Sequence, residues 1–283
     1  MIQRLSGAAV LLFVAVLSSC STDKKADAAQ PPKAKEGSVA PRPTVISVPS
    51  SPYRAMNVSG GVRLTGTIDF DGPLPADTVI QLPPEAQGCG QRITDHRVEH
   101  TGTRIGGAIV WLTDIRSGKP LPLARRFELA NEDCTLTPEV QAVVSPATLN
   151  VVSADVALHR DHIINVGTGE LEALAPFNDN GEVVPFDRLL TGTEQLEITC
   201  ELHPWAKAHI LVFDHPYFTT SEKTGAFAID DIPPGTYHVK AWHPLLGVAE
   251  QVVTISAGSA PPVALKLGTA TAPADSAKAT TTR

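Results

Sequence analysis

Methionine is almost missing from this 283-residue chain, which has only Met1 and Met56. Any chemistry that calls for a thioether after residue 56 therefore has none to use. Aromatic residues make up 5% of the chain, the formal net charge is -7, and no run of Lys and Arg forms a basic stripe. Without a cationic footprint to displace counterions from phosphates, nucleic acid is disfavoured as a partner. The apolar spacing of amphipathic helices is also scarce. There is no Gly-x-Ser-x-Gly elbow, no His-Glu-x-x-His pair and no phosphate-cradling glycine loop. Past residue 17 no apolar run is long enough to cross a bilayer as a helix.

What is present begins with an address. Met1-Ile2-Gln3-Arg4 supplies a short positive start, and Ala8 to Leu17 is an apolar run of signal-peptide length. The next residues, Leu17-Ser18-Ser19-Cys20, resemble the bacterial lipobox, which implies cleavage before Cys20 and lipid on its thiol. The competing reading is an ordinary secretory signal with an incidental cysteine. Ser21 resembles the pattern for outer-membrane sorting, so the expected location is the cell envelope, lipid-anchored and facing the periplasm or the exterior. From 21 to 58 the chain turns to Ala, Lys, Ser and Pro, with Pro31, Pro32, Pro41, Pro43, Pro49 and Pro52. Such a stretch buries too little apolar surface to offset its ordering entropy and reads as a disordered tether. The tail over 269–283, rich in Ala and Thr, reads the same way.

Between them lie about two hundred residues, enough for one large or two small domains. Short alternating runs bounded by Gly, Pro, Asp and Asn predict an all-β fold of sandwiches. Val62, Leu64, Gly66, Ile68 and Phe70 share one face of a strand that ends at Asp71-Gly72-Pro73. Ile109 to Leu112 is a second strand, and Leu196, Ile198 and Cys200 share a face in another. Phe227 and Ile229 alternate into the turn Asp231-Ile232-Pro233-Pro234-Gly235, and Tyr237, Val239 and Ala241 alternate out of it.

The segment from Gly225 to Ala241 resembles the second half of a carboxypeptidase-regulatory-like domain, a transthyretin-like sandwich sometimes grouped with carbohydrate-binding-like folds. The pattern of its first half lies upstream, in 61–75 and 106–112. The expectation is one sandwich split in sequence, formed by 59–124 and 214–268, with 125–213 inserted. The inserted part resembles a cupredoxin in the order of Phe127, Cys134 to Pro138, Leu149 to Val152, Asp155 to His159, and Cys200-Glu201-Leu202-His203-Pro204-Trp205. The whole chain resembles bacterial proteins labelled plastocyanin-like or methylamine-utilization-like. Their segments correspond to His159-Arg160-Asp161-His162, Cys200 to Ala206, and Asp214-His215-Pro216-Tyr217-Phe218.

That resemblance implies copper. An electron-transfer copper site needs a thiolate, two imidazoles and a weak axial ligand held on strand ends. Cys200 would be the thiolate, His203 one imidazole, and His159 or His162 the other, with His209 as an alternate. Two positions depart from the family: the axial methionine is Ala206, and the asparagine after the first histidine is Arg160. In the other reading of these residues, Cys200 is a buried apolar-like thiol and the histidines are remnants of a metal-binding ancestor. With Cys20 set aside, Cys89, Cys134 and Cys200 remain, and two of the three should pair in an oxidising compartment. A Cys89–Cys134 disulfide is the pairing that leaves Cys200 free.

The expected function is a non-catalytic envelope lipoprotein that binds copper for electron transfer or metal holding, with the membrane and a redox partner as contacts. The alternative is a metal-free sandwich adaptor for a glycan or another envelope protein. Trp205 is expected to shield the loop over His203, with sugar stacking as its other use.

Overall fold

The computed structural model describes residues 53–84, 86, 88–186, 190 and 194–268. Cys20, the leader, most of the tether and the tail lie outside these residues. Among the described residues every regular element is a β-strand, in keeping with the all-β reading, and two cores organise them.

The first core joins distant parts of the chain. Val62–Phe70 pairs antiparallel with Ala226–Ile232 and parallel with Val263–Leu267. Ile109–Leu112 lies between Phe218–Thr220 and Gly235–His243, and the latter pairs with Gly247–Ile255. Alternation along Val62–Phe70 turns Val62, Leu64 and Ile68 inward. They meet Val110 and Leu112 from the facing sheet, with Phe227, Ile229, Tyr237 and Val239 filling the rest.

The second core lies between two other sheets. One runs in the order Thr135–Thr137, Arg126–Glu132, Thr148–Ser153, Val183–Pro185. The other runs Val140–Val144, Lys207–Phe213, Glu194–Cys200, His159–Asn165, Leu171–Phe177. Each sheet holds one parallel pair, Arg126–Glu132 with Thr148–Ser153 and Val140–Val144 with Lys207–Phe213, so the chain crosses between sheets rather than meandering within one. Leu129, Leu149 and Val151 face Ile163, Leu196 and Ile198 across the interior.

The strand Lys207–Phe213 belongs to both halves. Ile210 and Val212 point into the second core, whereas Leu211 and Phe213 pack with Ile109, Trp111 and Trp242 of the first. Over its second half both faces are covered, and the sequence there is the unbroken apolar run Ile210-Leu211-Val212-Phe213.

Candidate metal centre

Three side chains converge where two neighbouring strands end. His159 is the first residue of His159–Asn165 and Cys200 the last of Glu194–Cys200. The antiparallel register sets Asp161 opposite Cys200, so both donors emerge at the same end of the sheet. The chain then turns back: the Ala206 N–H donates to the His203 carbonyl at 2.8 Å and the Cys200 N–H to the Ala206 carbonyl at 3.3 Å. This tight turn folds His203 over Cys200.

Cys200 Sγ lies 3.5 Å from His203 Nδ1 and 3.7 Å from His159 Nδ1, and the two Nδ1 atoms are 3.1 Å apart. All three residues are buried, at 2%, 2% and 4% exposure for Cys200, His159 and His203. An ion bonded to imidazole nitrogen and thiolate at about 2.0–2.3 Å sets its ligands roughly 3.3–3.8 Å apart. The two sulfur–nitrogen distances fall in that range and the 3.1 Å between nitrogens lies just under it, so the donor set suits a copper-sized ion with a soft thiolate and two imidazoles.

Neighbouring groups fix the donors. Asp155 Oδ1 lies 2.7 Å from His159 Nε2. An ionised carboxylate only accepts, so the ring proton sits on Nε2 and the Nδ1 lone pair faces Cys200. Asp155 also accepts the Cys134 N–H at 2.8 Å and the Ala157 N–H at 3.1 Å. The Arg160 N–H donates to Cys200 Sγ at 3.5 Å, so a backbone group at residue 160 contacts the sulfur whatever its side chain is. Burial pushes the Cys200 thiol up, Asp161 adds to the rise, and backbone N–H groups of Arg160, Leu202 and His203 act against it. Burial lowers His203, and His159 lowers it further. Both effects favour a neutral imidazole, the form that binds metal. Ala206, at 1% exposure, packs with Cys200 in the second core, so the methionine position of the resembled family is filled here by an apolar methyl.

The candidates named from sequence separate. His159, not His162, joins Cys200 and His203: three residues apart on an extended strand, the two histidines point to opposite faces. The His162 Nε2 instead lies 3.2 Å from Glu201 Oε2, and Arg160 donates to the same carboxylate, at 3.2 Å to Oε1 and 3.3 Å to Oε2. These bonds hold the Glu201 carboxyl below its ordinary range. His209 is likewise away from the trio. Its ring meets Trp242 edge-on at 5.9 Å and its Nδ1 is 3.9 Å from Glu197, because it sits on the shared strand next to the first core. His215 and His243 are buried, and each Nδ1 accepts a backbone N–H from two residues ahead, Tyr217 and Leu245.

Cys89 and Cys134 form a disulfide and Cys200 is free. The disulfide does more than spare Cys200: Cys89 Sγ lies 3.3 Å from His203 Nε2, against the outer edge of the imidazole. Trp205 donates its Nε1–H to the Cys134 carbonyl at 2.9 Å, and its ring lies tilted beside His203 at 5.3 Å between centroids. Trp111 and Trp242 are buried in the junction of the two cores.

Sequence reasoning gave no role to Asp155, to the buried pair in which Asn131 Nδ2 donates to Asp161 Oδ2 at 2.7 Å, or to the disulfide as a wall of the site. An acidic residue four positions before His159 was the available signal for the first. The other two depend on contacts between segments far apart in the chain.

A family model described as Polysaccharide lyase family 4, domain II, matches residues 205–263, which run from the site loop through the later strands of the first core. No curated protein matches the chain. Among solved structures it is similar to a Cu-containing nitrite reductase from Thermus scotoductus, at 20% identity and TM-score 0.25, over 37% of this chain and 25% of that one. It is also similar to a purple cupredoxin from Nitrosopumilus maritimus, at 16% identity and TM-score 0.25, over 30% and 97%. A third is reduced auracyanin from Roseiflexus castenholzii, at 14% and 0.26, over 34% and 100%. The chain spans about a quarter of the nitrite reductase's length. Over the described residues its own strands make it an all-β protein.

Proposed function

We propose that this chain is a non-catalytic, lipid-anchored envelope protein that holds one copper ion on Cys200, His159 and His203 and serves single-electron transfer or metal holding. The observation that carries this reading is the convergence of one Sγ and two Nδ1 atoms, 3.1 to 3.7 Å apart, in a buried site. Copper there would supply a one-electron redox couple with the unpaired electron shared onto sulfur. The protein's own part is to hold three ligands on strand ends and a short closed loop, keep water away, and fix the His159 proton on Nε2 through Asp155.

Copper(II) titration of the purified protein tests the reading. One equivalent should bind and give a visible thiolate-to-copper absorption, and Cys200→Ser should remove the colour and weaken binding by 100-fold or more. A colourless protein with no stoichiometric uptake would sink the metal reading and leave the adaptor. The anchor has its own test: labelled fatty acid should be incorporated by cells making the wild type and not by cells making Cys20→Ser.

A further inference from the structure

Beside that trio, and sharing His203 with it, a second group of soft donors lies among the described residues. We propose that Cys89, Cys134 and the Nε2 of His203 form a second metal site once the disulfide is reduced, taking a thiophilic d10 ion such as Cu(I) or Zn(II). This goes beyond the copper reading and does not depend on it.

The three ligand atoms already lie within 4.8 Å of one another. His203 turns its Nδ1 toward Cys200 and its Nε2 toward Cys89, so the nitrogen offered here is the one the first site leaves over. Cys134 is fully buried and held at both backbone groups, its N–H by Asp155 and its carbonyl by Trp205. Ile93 and Ala157 pack around it, with Leu82 and Trp205 at the margin, giving a thiolate ion site little competition from water. Cys89 is the adjustable partner. It lies between Gly88 and Gly90, with φ of 97° and 78°, where the backbone is free of side-chain constraint. The sulfurs need only part from a bonded distance of about 2.0 Å to roughly 3.7 Å to ligate one ion.

The chemistry balances. A dithiol delivers two electrons and two protons to the disulfide, giving two thiols, and leaves as its own disulfide. An entering ion displaces both thiol protons and takes the Nε2 lone pair of neutral His203. With the first site empty, His203 keeps its proton on Nδ1, 3.1 Å from the His159 Nδ1 acceptor. An ion on Cys200 would also draw on His203, through its Nδ1, so the two sites would share one imidazole and filling one should alter affinity at the other.

The test uses Cd(II) and the Cys200→Ser protein, which lacks the first site's sulfur. The protein is reduced with a phosphine, freed of it without air, and titrated while far-ultraviolet circular dichroism follows the fold. We expect one equivalent to bind with thiolate-to-cadmium absorption sized for two thiolates, and the oxidised protein to show none. Adding His203→Phe should weaken binding at least tenfold. Reduced protein that takes up no stoichiometric Cd(II), or affinity unchanged by His203→Phe, overturns the proposal. A chain that unfolds on reduction and binds through loose thiols gives the second result and so counts against it. Failure of copper at Cys200 would leave these outcomes as they are.

Discussion

Asp155 holds three groups at once: the ring of His159, the N–H of Cys134 and the N–H of Ala157. Its carboxylate thus links an imidazole of the candidate site to the backbone of the disulfide. Loss of such an outer partner commonly lowers metal affinity by about 10–100-fold. Asp155→Ala should therefore weaken copper binding within that range in a competition titration, with the protein still folded. Unchanged affinity would show that packing alone orients His159. The donor types of this site were legible in Cys200, His203 and either His159 or His162 through the cupredoxin resemblance of their segments. The choice between His159 and His162 was not. It depends on which face of the strand is inward, and that is set by pairing with Glu194–Cys200 rather than by the residues themselves. Arg160 looked like a loss when read as a missing asparagine side chain, yet its backbone N–H reaches the sulfur.

Elements bring these residues together through their ends. The site exists because two antiparallel strands stop at the same level and a tight turn returns His203 over the gap. The hairpin Thr78–Gln81 with Arg92–Asp95 carries Cys89 in its connection, and the disulfide closes a loop spanning a sequence separation of 45. In the loop-entropy account that closure is worth about 4 kcal/mol. Reduction without metal should thus lower the thermal midpoint by several degrees in calorimetry; an unchanged midpoint would mean that packing of Ile93 and Ala157 already holds the segment. Strands with one buried face, such as Val62–Phe70 and Gly235–His243, could be read from alternation. Lys207–Phe213 could be read only as a strand, because an unbroken apolar run says that both faces are covered without saying by what.

At the scale of the whole molecule, two buried histidines set an acid limit. Burial takes His215 and His243 from 6.5 to about 4, so each is neutral when folded and accepts a proton more readily when unfolded. Stability from this source is complete above pH 6.5 and is lost as pH falls toward 4, up to roughly 3 kcal/mol for each group. Denaturant midpoints should drop between pH 6.5 and 4, and His243→Gln should flatten part of that slope. An equal slope in the variant would assign the loss to other groups. The junction of Ile109, Trp111, Leu211, Phe213 and Trp242 also predicts a single cooperative unfolding transition, and Trp111→Ala should cost about 3–5 kcal/mol.

The shared strand bears on anyone who wishes to produce the part that holds the candidate site separately. Cutting the chain to 125–213 would expose Val140, Ala142, Leu211 and Phe213 as one sticky surface, and such a fragment should precipitate as it is made. Replacing Leu211 and Phe213 with threonine would give the strand the polar alternation of one with a single buried face and is the change most apt to yield a soluble miniature.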